Sequence, residues 1–200
     1  MKTIQNEVKN EIIINKSVFI TYLAPCSDSA KAKEYINNLK NLYPDATHHV
    51  SGYIIGKTGE SGHYTDDGEP SGTAGLPIFE VIRKNELTNV VFDCIRYFGG
   101  IKLGAGGLVR AYSKSISEAI KLATISMIID YSYYKLSFDY SFLKIIDNYL
   151  NDRIIKKEFS SQITYLVKVE KDKLEYDLMT ITNLTSNLAK IELLDAQTDD

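Results

Sequence analysis

The stretch Asn89-Val90-Val91-Phe92-Asp93-Cys94-Ile95-Arg96-Tyr97-Phe98-Gly99-Gly100-Ile101-Lys102-Leu103-Gly104-Ala105-Gly106-Gly107-Leu108-Val109-Arg110-Ala111-Tyr112 changes character twice. Its first nine residues are apolar and β-branched, the signature of a buried strand. Five glycines then punctuate a turn. From about Leu108 to Ala123 the apolar residues Leu108, Tyr112, Ile116, Ala119 and Ile120 recur at helical spacing, and Arg110, Lys114, Ser117 and Lys121 form the opposite face. A buried strand feeding an amphipathic helix through a glycine-rich turn predicts mixed α/β packing. The turn itself, at Gly104, Gly106 and Gly107, leaves backbone N–H groups at the positive end of a helix dipole, which suits an anion.

The same reading extends in both directions. Glu11–Ile14 and Ser17–Leu23 read as a strand hairpin, and a helix over about 28–42 is expected after Ser27 as N-cap, ended by Pro44. Tyr35, Ile36, Leu39 and Leu42 would lie on its apolar face. Val50–Ile55 reads as a strand, followed by a long polar loop to about Gly75 and a short helix opened by Pro77. After Asp130 the order is strand (Tyr131–Phe138), helix, two strands (Ile154–Phe159 and Ile163–Val169), helix, and a last strand over Leu188–Leu194. Asp172 and Glu175 resemble a capping box for the second of these helices. A frayed acidic tail is expected up to Asp200. The fold class is therefore α+β in two domains, 1–128 and 129–200, the second ferredoxin-like with βαββαβ order.

Composition narrows the function. Forty-four per cent apolar and 24% charged residues suit globular domains with real cores. No apolar run reaches the length of a membrane helix, and the first residues do not resemble a signal peptide, so the cytoplasm is the expected compartment and no membrane partner is expected. Cys26 and Cys94 lack metal or redox spacing and are expected to be small buried hydrophobes. Residues 1–128 carry 14 Lys+Arg against 13 Asp+Glu, and residues 129–200 carry 9 against 13. Neither half is basic in bulk, so RNA would have to be met by a local patch.

All 12 glycines fall between Gly52 and Gly107. That clustering marks loops of unusual geometry and designates 52–112 as the functional surface. Its first part, Tyr64-Thr65-Asp66-Asp67-Gly68-Glu69-Pro70-Ser71-Gly72-Thr73-Ala74-Gly75, puts three carboxylates within four residues. They could hold a hard cation through oxygen, or cap helices and pair with Arg96 and Arg110. His48 and His49 precede a strand, and adjacent strand residues point to opposite faces, so only one of them can face a given site. The binding candidates are His48, His49, Asp66, Asp67, Glu69, Ser71, Thr73, Arg96, Tyr97, Lys102, Arg110 and Tyr112. No nucleophile–base pair or recognised catalytic motif accompanies them, and no cofactor is expected.

Three stretches together carry a family resemblance: Thr47-His48-His49; Asp66 through Pro77; and Arg96 through Ser113. They resemble the hallmark of the IMPACT (YigZ-like) family, and Lys16-Ser17-Val18-Phe19-Ile20 resembles its opening segment. Cys94-Ile95 departs from the Val-Thr usual before the arginine, and Cys26 replaces an apolar residue. The resemblance implies an N-terminal domain similar to domain IV of elongation factor G and a ferredoxin-like C-terminal domain similar to its domain V. It also implies a role in translation or its regulation under stress. Eukaryotic relatives compete for the activator of a kinase acting on an initiation factor; a bacterial relative has no such kinase to control, so that partner does not carry over. The family supplies no catalytic residue.

Three function classes follow. The first is a binding module engaging RNA, the ribosome or a translation factor through the 52–112 surface. The second is an enzyme, a metal-assisted hydrolase or phosphate-handling protein, using Asp66, Asp67 and Glu69. The third is a regulator that binds only protein through its acidic C-terminal half. The sequence leaves the oligomeric state open.

Overall fold

The protein, seen in a computed structural model that describes residues 1–194, divides into two compact units, Met1–Ile128 and Ile129–Asp200. The expected frayed tail lies outside the described residues. The first unit contains, in order, β1 (Lys2–Ile4), β2 (Val8–Ile14), β3 (Ser17–Pro25), α1 (Ser29–Leu42), β4 (His48–Ile55), β5 (Ser61–Tyr64), α2 (Gly75–Lys84), β6 (Val90–Tyr97), α3 (Ala105–Leu122) and β7 (Ile125–Met127). Five strands form an antiparallel sheet in the order β2-β3-β6-β4-β5, and β1 pairs separately with β7.

Strand alternation splits this sheet into two buried faces. Phe19, Leu23, Val50, Ile54, Phe92 and Cys94 pack against Ile78 and Ile82 of α2 and Leu108, Tyr112 and Ile116 of α3. Ile20, Tyr22 and Ile95 pack against Tyr35 and Leu39 of α1. A central strand buried on both sides has no polar alternation, which is why β6 reads as a continuous apolar run.

Several local expectations are corrected. The N-cap of α1 is Asp28, whose carboxylate accepts from the N–H groups of Ala30 and Lys31 at 2.9 Å; Ser27 lies one residue too early. Leu42 is exposed, because α1 covers the sheet with its middle. The polar loop after β4 contains the exposed edge strand β5, whose Ser-Gly-His-Tyr sequence carries no apolar alternation to read. The last helix of the first unit begins at Ala105, three residues before its first buried side chain. Cys94 is buried, with its thiol pushed up to about 12 by burial, whereas Cys26 is only half-buried.

The second unit runs β8 (Tyr131–Phe138), α4 (Leu143–Leu150), β9 (Ile154–Phe159), β10 (Ile163–Glu170), α5 (Leu174–Leu184) and β11 (Lys190–Leu194). Its antiparallel sheet has the order β11-β8-β10-β9, the ferredoxin-like arrangement. Tyr134, Leu136, Phe138, Tyr165 and Val167 line the helix-covered face with Ile146, Leu150 and Ile181. Asp177, 1% exposed, sits among them and accepts from Tyr134 at 2.5 Å, from Tyr149 at 2.8 Å and from Arg153. No capping box forms at α5. A 3-10 turn over Lys171–Lys173 precedes the helix, and no side chain caps its first N–H groups.

Candidate functional site

The three clustered carboxylates leave the loop in three directions. Asp66 turns back onto the start of α2, accepting from the N–H groups of Gly72 (2.8 Å), Ala74 (3.1 Å) and Gly75 (2.8 Å). Ala74, at the N-cap position, has no side chain to do this, so a residue eight positions upstream supplies the cap. Asp66→Ala is expected to lower stability by about 1–2 kcal/mol, readable as a shift of the urea midpoint. Asp67 faces β4: its Oδ2 accepts from the His49 backbone N–H at 2.7 Å, and its carbonyl oxygen lies 2.7 Å from His48 Nδ1.

Glu69 alone points inward. It is 9% exposed, and its Oε1 accepts from Arg96 Nη1 at 2.5 Å and from the Tyr112 hydroxyl at 2.7 Å. Arg96 is itself 4% exposed. Its Nη2 donates to Ser17 Oγ at 3.3 Å, and its guanidinium carbon stands 5.4 Å from the Phe19 ring centre and 5.5 Å from that of Phe98. The two aromatic faces favour the cation and the carboxylate neutralises it. Arg96 Nε finds no acceptor among the described residues. Burial, followed by the neighbouring thiol and carboxylate, drives the Tyr112 hydroxyl far above the ordinary tyrosine range, so it stays a donor to Glu69.

A cleft of about 420 Å³ opens over this ion pair. It is lined by Thr47, His48, Glu69, Pro70, Arg96 and Phe98, and by Lys102 through Ala105 with Leu108. A carbonyl can only accept, so the bond to Asp67 places a proton on His48 Nδ1 and turns Nε2 toward Glu69 Oε1, 3.8 Å away. The N-terminus of α3 forms the cleft's far rim. Gly104 occupies its N-cap position at φ +70°, a conformation that strains any residue with a Cβ, and no side chain caps the helix. The first helical bond runs from Leu108 N–H to the Gly104 carbonyl at 2.9 Å, so Ala105, Gly106 and Gly107 have no helical acceptor for theirs. Phe98 (46% exposed) and Lys102 are open to solvent.

His49 belongs to the other face of the sheet, as strand alternation requires. Its Nε2 lies 3.0 Å from the Tyr43 carbonyl and its Nδ1 2.9 Å from Asp93 Oδ2, with both side chains buried. Burial lowers its pKa, but the hydrogen bond and charge of Asp93 and the Tyr43 carbonyl outweigh it, leaving it above the usual histidine value. Burial raises Asp93, with His49 opposing.

Among the sequence candidates, the structure brings His48, Glu69, Arg96, Lys102 and Gly104 to one cleft. Arg110 is exposed one turn along α3, with Nη1 3.5 Å from where a Gly106 Cβ would stand. Five surface candidates are buried instead, Glu69 at 9% exposure among them. Arg96 and Tyr112 are buried partners of Glu69, Thr73 is buried and donates to the Pro70 carbonyl at 2.6 Å, and His49 is in the α1 layer. Tyr97 is half-buried and donates to Asp45 at 3.0 Å, and Ser71 is exposed at the loop tip. Asp66 and Asp67 brace backbone, and among the described residues no three His, Cys, Asp or Glu side chains are placed to hold a metal ion. Pro70, Phe98 and Leu103 also line the cleft, although none is among the binding candidates named from the sequence. Phe98, an aromatic placed immediately before two glycines, was the one available signal.

Glycine clustering has in part a packing cause. A Cβ on Gly99 would stand 2.0–2.4 Å from the backbone of Lys16 and Ser17, so only glycine lets the end of β6 pass the start of β3.

Residues 15–120 match the model of the Impact N-terminal domain. The chain is 32% identical over 187 residues to an IMPACT family member of Haemophilus influenzae, covering 91% of each chain. It is 48% identical over 118 residues to the IMPACT family member YvyE of Bacillus subtilis, and 37% identical over 113 to YigZ of Escherichia coli. Those two matches span 54% and 55% of the relatives' lengths, about half of each. A solved structure described as a hypothetical protein is similar over 98% of both chains, with a TM-score of 0.64 and 26% identity. No helix of the described residues is long and apolar enough to cross a membrane. With His48, Glu69, Arg96 and Lys102 of the motif lining one cleft and the family's domain model spanning β3 through most of α3, this chain belongs to the IMPACT family.

Proposed function

We propose that this chain is a translation-associated binding module of the cytoplasm, engaging RNA, alone or in the ribosome, through the cleft at the α3 N-terminus. One observation carries the reading: the cleft juxtaposes a solvent-facing aromatic, an exposed lysine and an uncapped helix N-terminus over a wall whose charges are already paired. Exposed aromatics stack on bases, and helix N–H groups with lysine receive phosphate. The enzyme reading loses its motive, because Asp66, Asp67 and Glu69 do not converge and each has a structural partner.

The placement of the arginines chooses the test. Reversing Arg96 would set two carboxylates against each other in the core, so loss of binding would report only unfolding. Lys102→Glu and Phe98→Ala alter exposed side chains. Co-sedimentation with ribosomal particles and with total RNA, at low and at physiological salt, is expected to weaken for both variants. Lys102→Glu should also flatten the salt dependence by about one phosphate contact. Association unchanged by Lys102→Glu at low salt would sink the proposal.

A further inference from the structure

The charges around the cleft do not form a line that would track a nucleic-acid strand. A groove that follows an RNA backbone presents a line of cations. Here the first unit has nearly equal numbers of basic and acidic residues, and Lys102 is the exposed cation lining the cleft, with Arg110 one turn further along α3. The remaining donors are neutral backbone N–H groups of Ala105, Gly106 and Gly107 at the head of an 18-residue helix. A second, independent feature marks the same place. Arg96, 4% exposed, lines the cleft, and its Nε has no acceptor although its two terminal nitrogens do. Glu69 does not repel an anion there, since its charge is matched by Arg96 and hydrogen-bonded by Tyr112. Beside the donors stand Phe98 and the apolar Pro70, Leu103 and Leu108, in a space of about 420 Å³.

From this juxtaposition we infer that the cleft takes a phosphomonoester attached to a nucleoside, with the phosphate at the α3 N-terminus and Lys102, and the base against Phe98. The inference rests on the RNA-binding reading above and gives it a specific ligand, either the 5′-phosphate end of an RNA or a free mononucleotide. A terminal phosphate offers three oxygens and a second negative charge, which suits a helix N-terminus with a neighbouring lysine better than a diester does.

The test uses the full chain and a short single-stranded RNA of one sequence, labelled at its 3′ end and carrying either a 5′-phosphate or a 5′-hydroxyl. Fluorescence anisotropy is expected to show the phosphorylated form binding about tenfold tighter, the effect of one or two charge-assisted hydrogen bonds. Adenosine and uridine monophosphates are the competitors, with inorganic phosphate as a control. Displacement by either mononucleotide at matching affinity assigns the free nucleotide as ligand, and failure to displace assigns the RNA end. Two variants locate the phosphate. Gly106→Asp puts a carboxylate in the first turn of α3, where its Cβ meets only Arg110 Nη1 at 3.5 Å, so the helix dipole favours it while it repels the ligand. Lys102→Ala removes the exposed cation. Both should abolish the tenfold preference, with melting temperature unchanged or raised in Gly106→Asp. Equal binding of the two RNAs would overturn the inference and leave the RNA reading standing. Preference retained in both variants would also overturn it, and no binding of any RNA would remove both.

Discussion

Glu69→Ala is expected to destabilise the protein by about 3–5 kcal/mol, because it leaves the Arg96 guanidinium buried without its counter-ion. Arg96 and Glu69 expose only 5% and 4% of their side chains, so the guanidinium is largely desolvated and water from the cleft replaces the carboxylate poorly. The Tyr112 hydroxyl loses its acceptor as well, in the middle of the core under α3. Glu69→Gln, which keeps an acceptor and removes the charge, should cost less. The double variant Glu69→Leu with Arg96→Met should cost less than the sum of the two single changes, since apolar residues can replace a whole buried pair better than half of one. Urea unfolding of Glu69→Ala, Glu69→Gln, the two single changes and the double variant measures this. A loss for Glu69→Ala below about 1 kcal/mol would show that the pair does not pin the loop to the sheet.

The second large effect is expected on the opposite face. Asp93→Ala should cost about 2–3 kcal/mol by removing the charged hydrogen bond to His49. The wild-type pair should also make stability fall as pH rises. His49 Nε2 faces a carbonyl and must donate, and its Nδ1 faces a carboxylate, so the arrangement holds a proton between ring and acid. Both groups have folded pKa values above their unfolded ones, 6.5 for His49 and 3.8 for Asp93. The native state therefore binds more protons than the unfolded state, and the linkage term is negative. The Asp93 contribution is complete below its unfolded value and declines above it. That of His49 is complete below pH 6.5 and is lost as pH passes its folded pKa. Urea midpoints from about pH 5.5 to 8.5 should fall in the wild type and much less in His49→Gln. A wild-type midpoint that is flat or rises over that window would refute the assignment.

These two networks show where reading residues in line succeeds and where it stops. The β-α core was legible because periodicity is a local property: Leu108, Tyr112 and Ile116 at helical spacing, and an unbroken apolar β6, each follow from which faces are buried. The ferredoxin-like order after Asp130 was legible for the same reason. β1, β5 and β7 were not, since strands of three or four residues are too short to show an alternation and owe their existence to a partner strand.

By itself the sequence determined the α+β class, the strand-turn-helix that carries the motif, the separation of His48 from His49 and the concentration of glycine around one surface. Tertiary structure decided what each polar residue there does. Asp66, Asp67 and Glu69 are neighbours in the chain, yet they serve a helix end, a strand backbone and a buried arginine, because the loop turns between them. Arg96 and Lys102 look alike as cations of one motif, but alternation along β6 drives the first into the core while the turn that follows leaves the second in solvent. Charge and residue type are written in the chain. Which charges are already neutralised depends on groups brought together from 27 and 43 positions away, and only the folded sheet brings them there.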